Sequence, residues 1–229
     1  MGQLFVANKH ILVVESHNDK LFIEQLIVHL KNINLEVSPP ICNIDEYECL
    51  SGLSEKKLSD KLNDLRIASD KEGISKIGIM VDADANGIDA QLALVNSSLK
   101  KAGFTITIPS VNAWIYDDSQ SLNISCHVLN VGGCGELETM LRAIKSSESV
   151  VADCLESWRE CLNDKSKAIK QKDFDKFWVS VYQHFDCCSR NDKKQADRKC
   201  SFEASMKKPI WDFEHTALAE LKAYLGMFT

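Results

Sequence analysis

An apolar run that ends abruptly in two acids, Ile77-Gly-Ile-Met-Val-Asp-Ala-Asp84, leaves this chain few folds to choose from. A segment with so few polar groups reads as a strand buried on both faces, as in a parallel sheet. Its first hydrophilic side chains, Asp82 and Asp84, then fall at the strand's carboxyl end, where open α/β sheets bind ligands. Two positions apart in extended chain, both carboxylates point the same way and can share one divalent cation. The competing reading of such a pair is a solvated turn.

An earlier segment bears on that choice. Residues 11–14, Ile-Leu-Val-Val, form a second apolar run, followed at once by Glu15 and, across Ser-His-Asn, by Asp19. If the two strands are parallel neighbours, Glu15 arrives at the same sheet edge as Asp82 and Asp84. Carboxylates crowded in this way repel unless a cation neutralises them, and oxygen ligands suit Mg²⁺ or Mn²⁺.

Val14-Glu15-Ser16-His17-Asn18-Asp19 followed by Val81-Asp82-Ala83-Asp84 resembles the signature of the Toprim family. That family includes bacterial-type primases, type IA and type II topoisomerases, overcoming-lysogenization-defect nucleases and small stand-alone Toprim-like proteins. The resemblance spans roughly residues 10–145. Glu15 and Asp19 match the nucleases' Glu-x-x-x-Asp variant, whereas the glycine that commonly follows the glutamate is Ser16 here. The resemblance implies a Rossmann-like, mostly parallel sheet flanked by helices. It also implies a site in which Asp82 and Asp84 anchor the metal, Asp19 contributes, and Glu15 is ligand or general base.

Elsewhere the pattern alternates strands and helices, β-α-β-α-β-α-β-β, as in a parallel α/β core. Asn18 is a candidate cap for a helix over 19–31 bearing Phe22, Ile23, Leu26, Ile27 and Leu30. Residues 33–44, interrupted by Pro39-Pro40, read as a marginal strand. Ser54 and Gly73 bracket a helix with Leu58, Leu62 and Leu65 inside, and a strand over 75–81 follows. A helix over 89–102 stops at Gly103; Phe104–Ile108, Val111–Tyr116 and 124–128 are strand-like.

Asn130-Val-Gly-Gly-Cys-Gly135 then leads into a helix over 136–145. Such a glycine-rich turn can bring backbone N–H groups to a phosphate, although it lacks the Walker lysine. Acids at Glu136 and Glu138 are favoured in a first helical turn for capping reasons alone. Gly135-Glu-Leu-Glu138 also matches a Gly-x-Leu-Glu sequence of the stand-alone Toprim-like proteins, and by that resemblance Glu138 joins the metal cluster.

The expected division is a Toprim-like α/β catalytic domain over 1–145 and a helical extension over 146–229 packing on it. In the extension Val150, Val151, Cys154, Leu155, Trp158 and Leu162 form one apolar stripe. Phe174, Phe177, Trp178, Val181, Tyr182 and Phe185 form another, and both read as core or subunit contacts. Leu218, Leu221 and Leu225 give the last helix too much apolar surface for a free tail.

With 229 residues and a formal charge of −6, the chain is not an obvious nucleic-acid binder. The exception is a basic stretch containing Lys193, Lys194, Arg198 and Lys199, read either as a solvated loop or as a phosphate-contacting one. Lys20, Lys76 and His17 are further candidates to steady a phosphate. Nine cysteines without a signal-peptide pattern argue for reduced thiols. His184 with Cys187, Cys188 and Cys200 makes a poor zinc set, since adjacent cysteines pair badly as ligands. No tract reaches the roughly 18 apolar residues of a membrane span, so a cytoplasmic protein is expected.

A chain of this length leaves no room for a primase zinc module, a topoisomerase tyrosine domain or a fused ATPase. The resemblance therefore implies a Mg²⁺- or Mn²⁺-dependent nuclease acting on DNA or RNA. It further implies an anti-phage defence effector under the control of a separate ATPase partner, with homo-oligomers allowed. The alternative is a non-catalytic regulatory module that holds a metal or nucleotide.

Overall fold

The computed structural model describes residues 8–42, 53–195 and 199–229. Strands β1 (Lys9–Val13), β2 (Glu36–Val37), β3 (Ile74–Asp82), β4 (Ile115–Asp117) and β5 (Leu122–Leu129) form one sheet in the order β2-β1-β3-β5-β4. All neighbours are parallel except β4, which runs antiparallel to β5. The result is a mixed α/β fold with helices on both faces. β2 is a two-residue edge strand followed by Pro39-Pro40, which suits a position where no further ladder is needed.

Alternation along the central strands divides the core in two. Ile11 and Val13 of β1, Ile77, Ile79 and Val81 of β3, and Ile124, Cys126 and Val128 of β5 face helices α2 (Glu55–Glu72) and α3 (Ile88–Lys101). Leu12, Val14, Met80 and Leu129 face the other way, onto α1 (His17–Leu30), α4 (Leu137–Ala143) and the C-terminal helices. α2 is bounded as its sequence suggests: Ser54 Oγ accepts from Lys57 N–H, and Gly73 ends it at a positive φ of 65°.

Three local readings are corrected. α1 begins at His17, because Ser16 rather than Asn18 is its cap. Ser16 Oγ accepts from Asp19 N–H at 3.2 Å while Asp19 Oδ2 accepts from Ser16 N–H at 2.8 Å, a reciprocal capping box. Ser16 is extended (φ −118°, ψ 166°), so the turn after β1 has no need of the missing glycine. Phe104–Ile108 joins no strand; the Asn96 side chain takes up the Ile108 backbone on both sides, at 2.8 and 2.9 Å. Val111–Tyr116 contributes only through β4, Ile115–Asp117.

Beyond Ser146 run α5 (Val150–Asp153), α6 (Leu155–Asp164), α7 (Gln171–Val181, continued by a π turn to Asp186), α8 (Arg190–Lys193), α9 (Phe202–Met206) and α10 (Ala219–Gly226). The second apolar stripe is mostly core, with Phe174, Trp178 and Tyr182 buried, although Phe177 and Phe185 are exposed. The first stripe is not core: Val150, Val151 and Trp158 are exposed and α6 buries none of its residues. α10 packs directly on the sheet, where Gly78 of β3 makes room. A Cβ there would stand 2.5 Å from Phe228 Cζ and 2.6 Å from the Tyr224 hydroxyl. Cys188 and Cys200, expected as reduced thiols, are joined in a disulfide, their Cα atoms 5.9 Å apart. No helix among the described residues is long and apolar enough to cross a membrane.

Candidate functional site

Parallel pairing determines where the acids go. Val13 lies opposite Ile79 in the β1–β3 register, so the chain leaves β1 at Glu15 beside the end of β3 at Asp82. β5 lies on the other side of β3, with Leu129 opposite Asp82, and its outgoing loop leads to Glu136 and Glu138. Three separate stretches thus deliver carboxylates to one sheet edge. Two of their loops are clasped: Asp84 N–H donates to Gly135 C=O and Gly135 N–H to Asp84 C=O, each at 2.9 Å. Both residues have positive φ, 50° at Asp84 and 98° at Gly135. A Cβ at Gly135 would lie 2.8 Å from Thr139, so glycine is needed there for space as well as for conformation.

The electrostatics are those of like charges pressed together out of water. Burial, followed by the charges of Asp19 and Asp84, pushes Glu15 up to about 7, with Lys172 pulling the other way. Asp82 is held well above the usual carboxylate range by burial and then by Asp19, Glu15, Glu136 and Glu138. Burial also raises Asp19 and Glu138, opposed in Asp19 by the Ser16 hydrogen bonds and in Glu138 by Lys176. Asp19 is almost fully buried. Its Oδ2 serves the helix cap, while its Oδ1 has no hydrogen-bond partner among the described residues. A buried carboxylate oxygen with a free lone pair is costly unless something occupies it.

Helix α7 supplies cations to this edge. Lys172 Nζ lies 3.1 Å from Glu136 Oε2 and 3.3 Å from Asp84 Oδ1, and Lys176 Nζ lies 3.4 Å from the same Glu136 oxygen. Burial works to lower the Lys172 ammonium, yet its bond to Glu136 and the charge of Asp84 raise it above the usual lysine range. Asp84 Oδ2 accepts a further bond from Gln91 at 3.3 Å. The helix is locked by buried Asp175, which accepts from Thr139 Oγ1 and Gln171 Nε2 at 2.8 Å each and from the Arg142 guanidinium.

Glu15, Asp19, Asp82, Asp84 and Glu138, all singled out in the sequence, are therefore brought to one edge. Among the described residues, however, no group of three or more His, Cys, Asp or Glu side chains stands close enough to hold a metal ion as it is. Asp84 and Glu136 are instead drawn to Lys172. Glu136, Lys172, Lys176, Gln91 and Asp175 were not picked out as site residues from the sequence. The one visible signal was the Lys172/Lys176 spacing of four on a helix.

The other candidates lie elsewhere. Lys76 is in the first half of β3, away from the acids, with Nζ on Met227 C=O at 2.7 Å and over the Trp114 ring, so it cannot steady a phosphate at this edge. His17 is exposed, and Lys20 pairs with Glu24 at 3.7 Å. Lys193 lies over the Phe185 ring, Lys199 is 4.0 Å from Asp192, and Lys194 is exposed on the same turn. Arg198 lies outside the described residues.

The protein family described as "protein of unknown function (DUF3226)" matches residues 9–228. No curated protein and no solved structure matches the chain.

Proposed function

The chain belongs to the DUF3226 family of proteins of unknown function, so its chemistry has to be sought in its own side chains, and we propose that it is a metal-dependent nuclease with a Toprim-like carboxylate site. The observation that carries this reading is the meeting of Glu15, Asp19, Asp82, Asp84, Glu136 and Glu138 at one sheet edge, with Asp19 Oδ1 buried and unpartnered. Raised carboxylates and an orphaned hard oxygen are what a divalent cation relieves, and an all-oxygen donor set suits Mg²⁺ or Mn²⁺. Asp82 and Asp19 would hold the ion, with Asp84 and Glu138 beside it and Glu15 placed as ligand or general base.

A bound divalent ion would lower the pKa of a water so that it can lose a proton and become a nucleophile, and would supply counter-charge for the pentavalent transition state. Glu15, with its proton held to about pH 7, suits a general base that takes a proton from that water near neutrality. Lys172 and Lys176 put positive charge at the mouth of an otherwise repulsive site, where a phosphodiester would have to approach. DNA or RNA is the substrate class. Control by a separate ATPase in anti-phage defence remains part of the proposal through the Toprim resemblance alone.

A second reading, a regulatory module that binds metal or nucleotide without cutting, is favoured by the Lys172 ammonium standing on Asp84 and Glu136. Incubating the purified protein with plasmid, single-stranded DNA and tRNA in Mg²⁺, Mn²⁺ or EDTA separates the two. Nicking or degradation that needs the metal and disappears in Asp82→Ala and Glu15→Ala is expected. Cleavage that survives both substitutions removes this site. Metal binding without cleavage of any of the three supports the regulatory module.

A further inference from the structure

We propose that Lys172 is the resident counter-cation of the carboxylate cluster and must swing out before a divalent cation can enter, so that its side chain gates the site from a fixed α7. The proposal rests on the metal-site reading above but is separable from it. The Lys172 ammonium already satisfies one oxygen of Asp84 and one of Glu136, at 3.3 and 3.1 Å. Those two carboxylates come from different loops, held together by the two-way bridge between Asp84 and Gly135. A single ammonium thus spans the mouth of the cluster, while Asp19 Oδ1 behind it is left without a partner.

An ammonium seated on Asp84 and Glu136 repels a divalent ion arriving at Asp82 and Asp19, and it holds the Asp84 oxygen that would stand beside that ion. Exchange requires no unfolding. Buried Asp175, gripped by Thr139, Gln171 and Arg142, keeps the α7 backbone in register, while the Lys172 side chain is 43% exposed and can turn into water. Lys176, one helical turn on and 3.4 Å from Glu136, can keep that carboxylate partnered after Lys172 leaves. Metal binding and lysine release are then linked, so that whatever weakens the hold of Lys172 on the carboxylates strengthens metal binding.

The test measures Mn²⁺ binding to the full chain by electron paramagnetic resonance of the free ion, together with melting temperature in EDTA. The proteins compared are wild type, Lys172→Met, Lys176→Met and Asp82→Ala. Lys172→Met should bind Mn²⁺ about tenfold more tightly than wild type, within the usual range for coupled sites. It should also melt lower in EDTA and recover when Mn²⁺ is added. Lys176→Met should change affinity less, and Asp82→Ala should lose the site. Equal or weaker Mn²⁺ binding by Lys172→Met, with wild-type binding intact, overturns the gate and leaves the metal site standing. No Mn²⁺ binding by either protein overturns the metal site itself. Should the methionine variant fail to fold, Lys172→Gln removes the charge while keeping a polar end group, and the same comparison applies.

Discussion

Glu15 illustrates how much one carboxylate owes to its position. It follows a strand whose last residues are wholly buried, and it is itself half-buried where the charges of Asp19 and Asp84 act on it. Replacing it with glutamine keeps the shape and removes the basic oxygen. Cleavage should fall by roughly 10²- to 10⁴-fold, the usual contribution of a general base. If Mn²⁺ affinity is largely retained in that variant, measured by the same resonance assay, Glu15 acts as base; if affinity is lost with activity, it is a ligand. The position of Glu15 could be inferred from sequence because two apolar runs ending in acids have few ways to sit in a parallel sheet. The role of Ser16 could not, since Ser16 and Asn18 are both good caps and only the return bond from Asp19 decides between them. Lys172 was further out of reach: nothing local says that a lysine so distant in the chain will stand on Asp84.

At the scale of elements, the packing of α10 depends on a missing side chain. Gly78 reads in sequence as one small residue in an apolar strand, yet its Cα faces Phe228, Tyr224 and Leu12 at once. Gly78→Ala should therefore overpack the interface and cost about 1–3 kcal/mol, read as a lower urea midpoint with unchanged slope. The carboxylate edge lies further along β3, so Mn²⁺ binding by the folded fraction should not change. Sequence pattern was least informative for elements whose state depends on their neighbours. Phe104–Ile108 has strand-like residues, yet the Asn96 side chain takes both hydrogen bonds of the Ile108 backbone where a neighbouring strand would. The amphipathic α6 has the right period for burial, yet none of its residues is buried: Leu155 packs on the core only in part, and Trp158 meets the exposed Phe177 ring at 5.5 Å.

For the whole molecule, the acidic edge makes stability depend on pH and on cations. Glu15, Asp19, Asp82 and Glu138 all have raised values in the fold, so the folded state binds protons more tightly than the unfolded chain. Stability should then be greatest near the ordinary carboxylate range and fall as pH rises, at least until Glu15 has lost its proton near 7. Melting curves in EDTA between pH 5 and 8 should show that decline, about opposite to a protein whose acids sit in salt bridges. Adding Mn²⁺ should flatten it by binding only the folded form. A melting temperature that rises with pH in EDTA would mean that the carboxylates are not crowded as described.

Trp114 lies edge-on to Phe228 at 5.0 Å and stacks with Tyr224 at 6.3 Å, and its indole N–H reaches the Met227 sulfur at 3.1 Å. The notch at Gly78 thereby gives the molecule its own optical probe. Indole emission shifts to longer wavelength when water replaces an apolar neighbour. With Trp158, Trp178 and Trp211 changed to phenylalanine, the remaining fluorescence would follow the seating of α10 on the sheet, separately from melting of the rest.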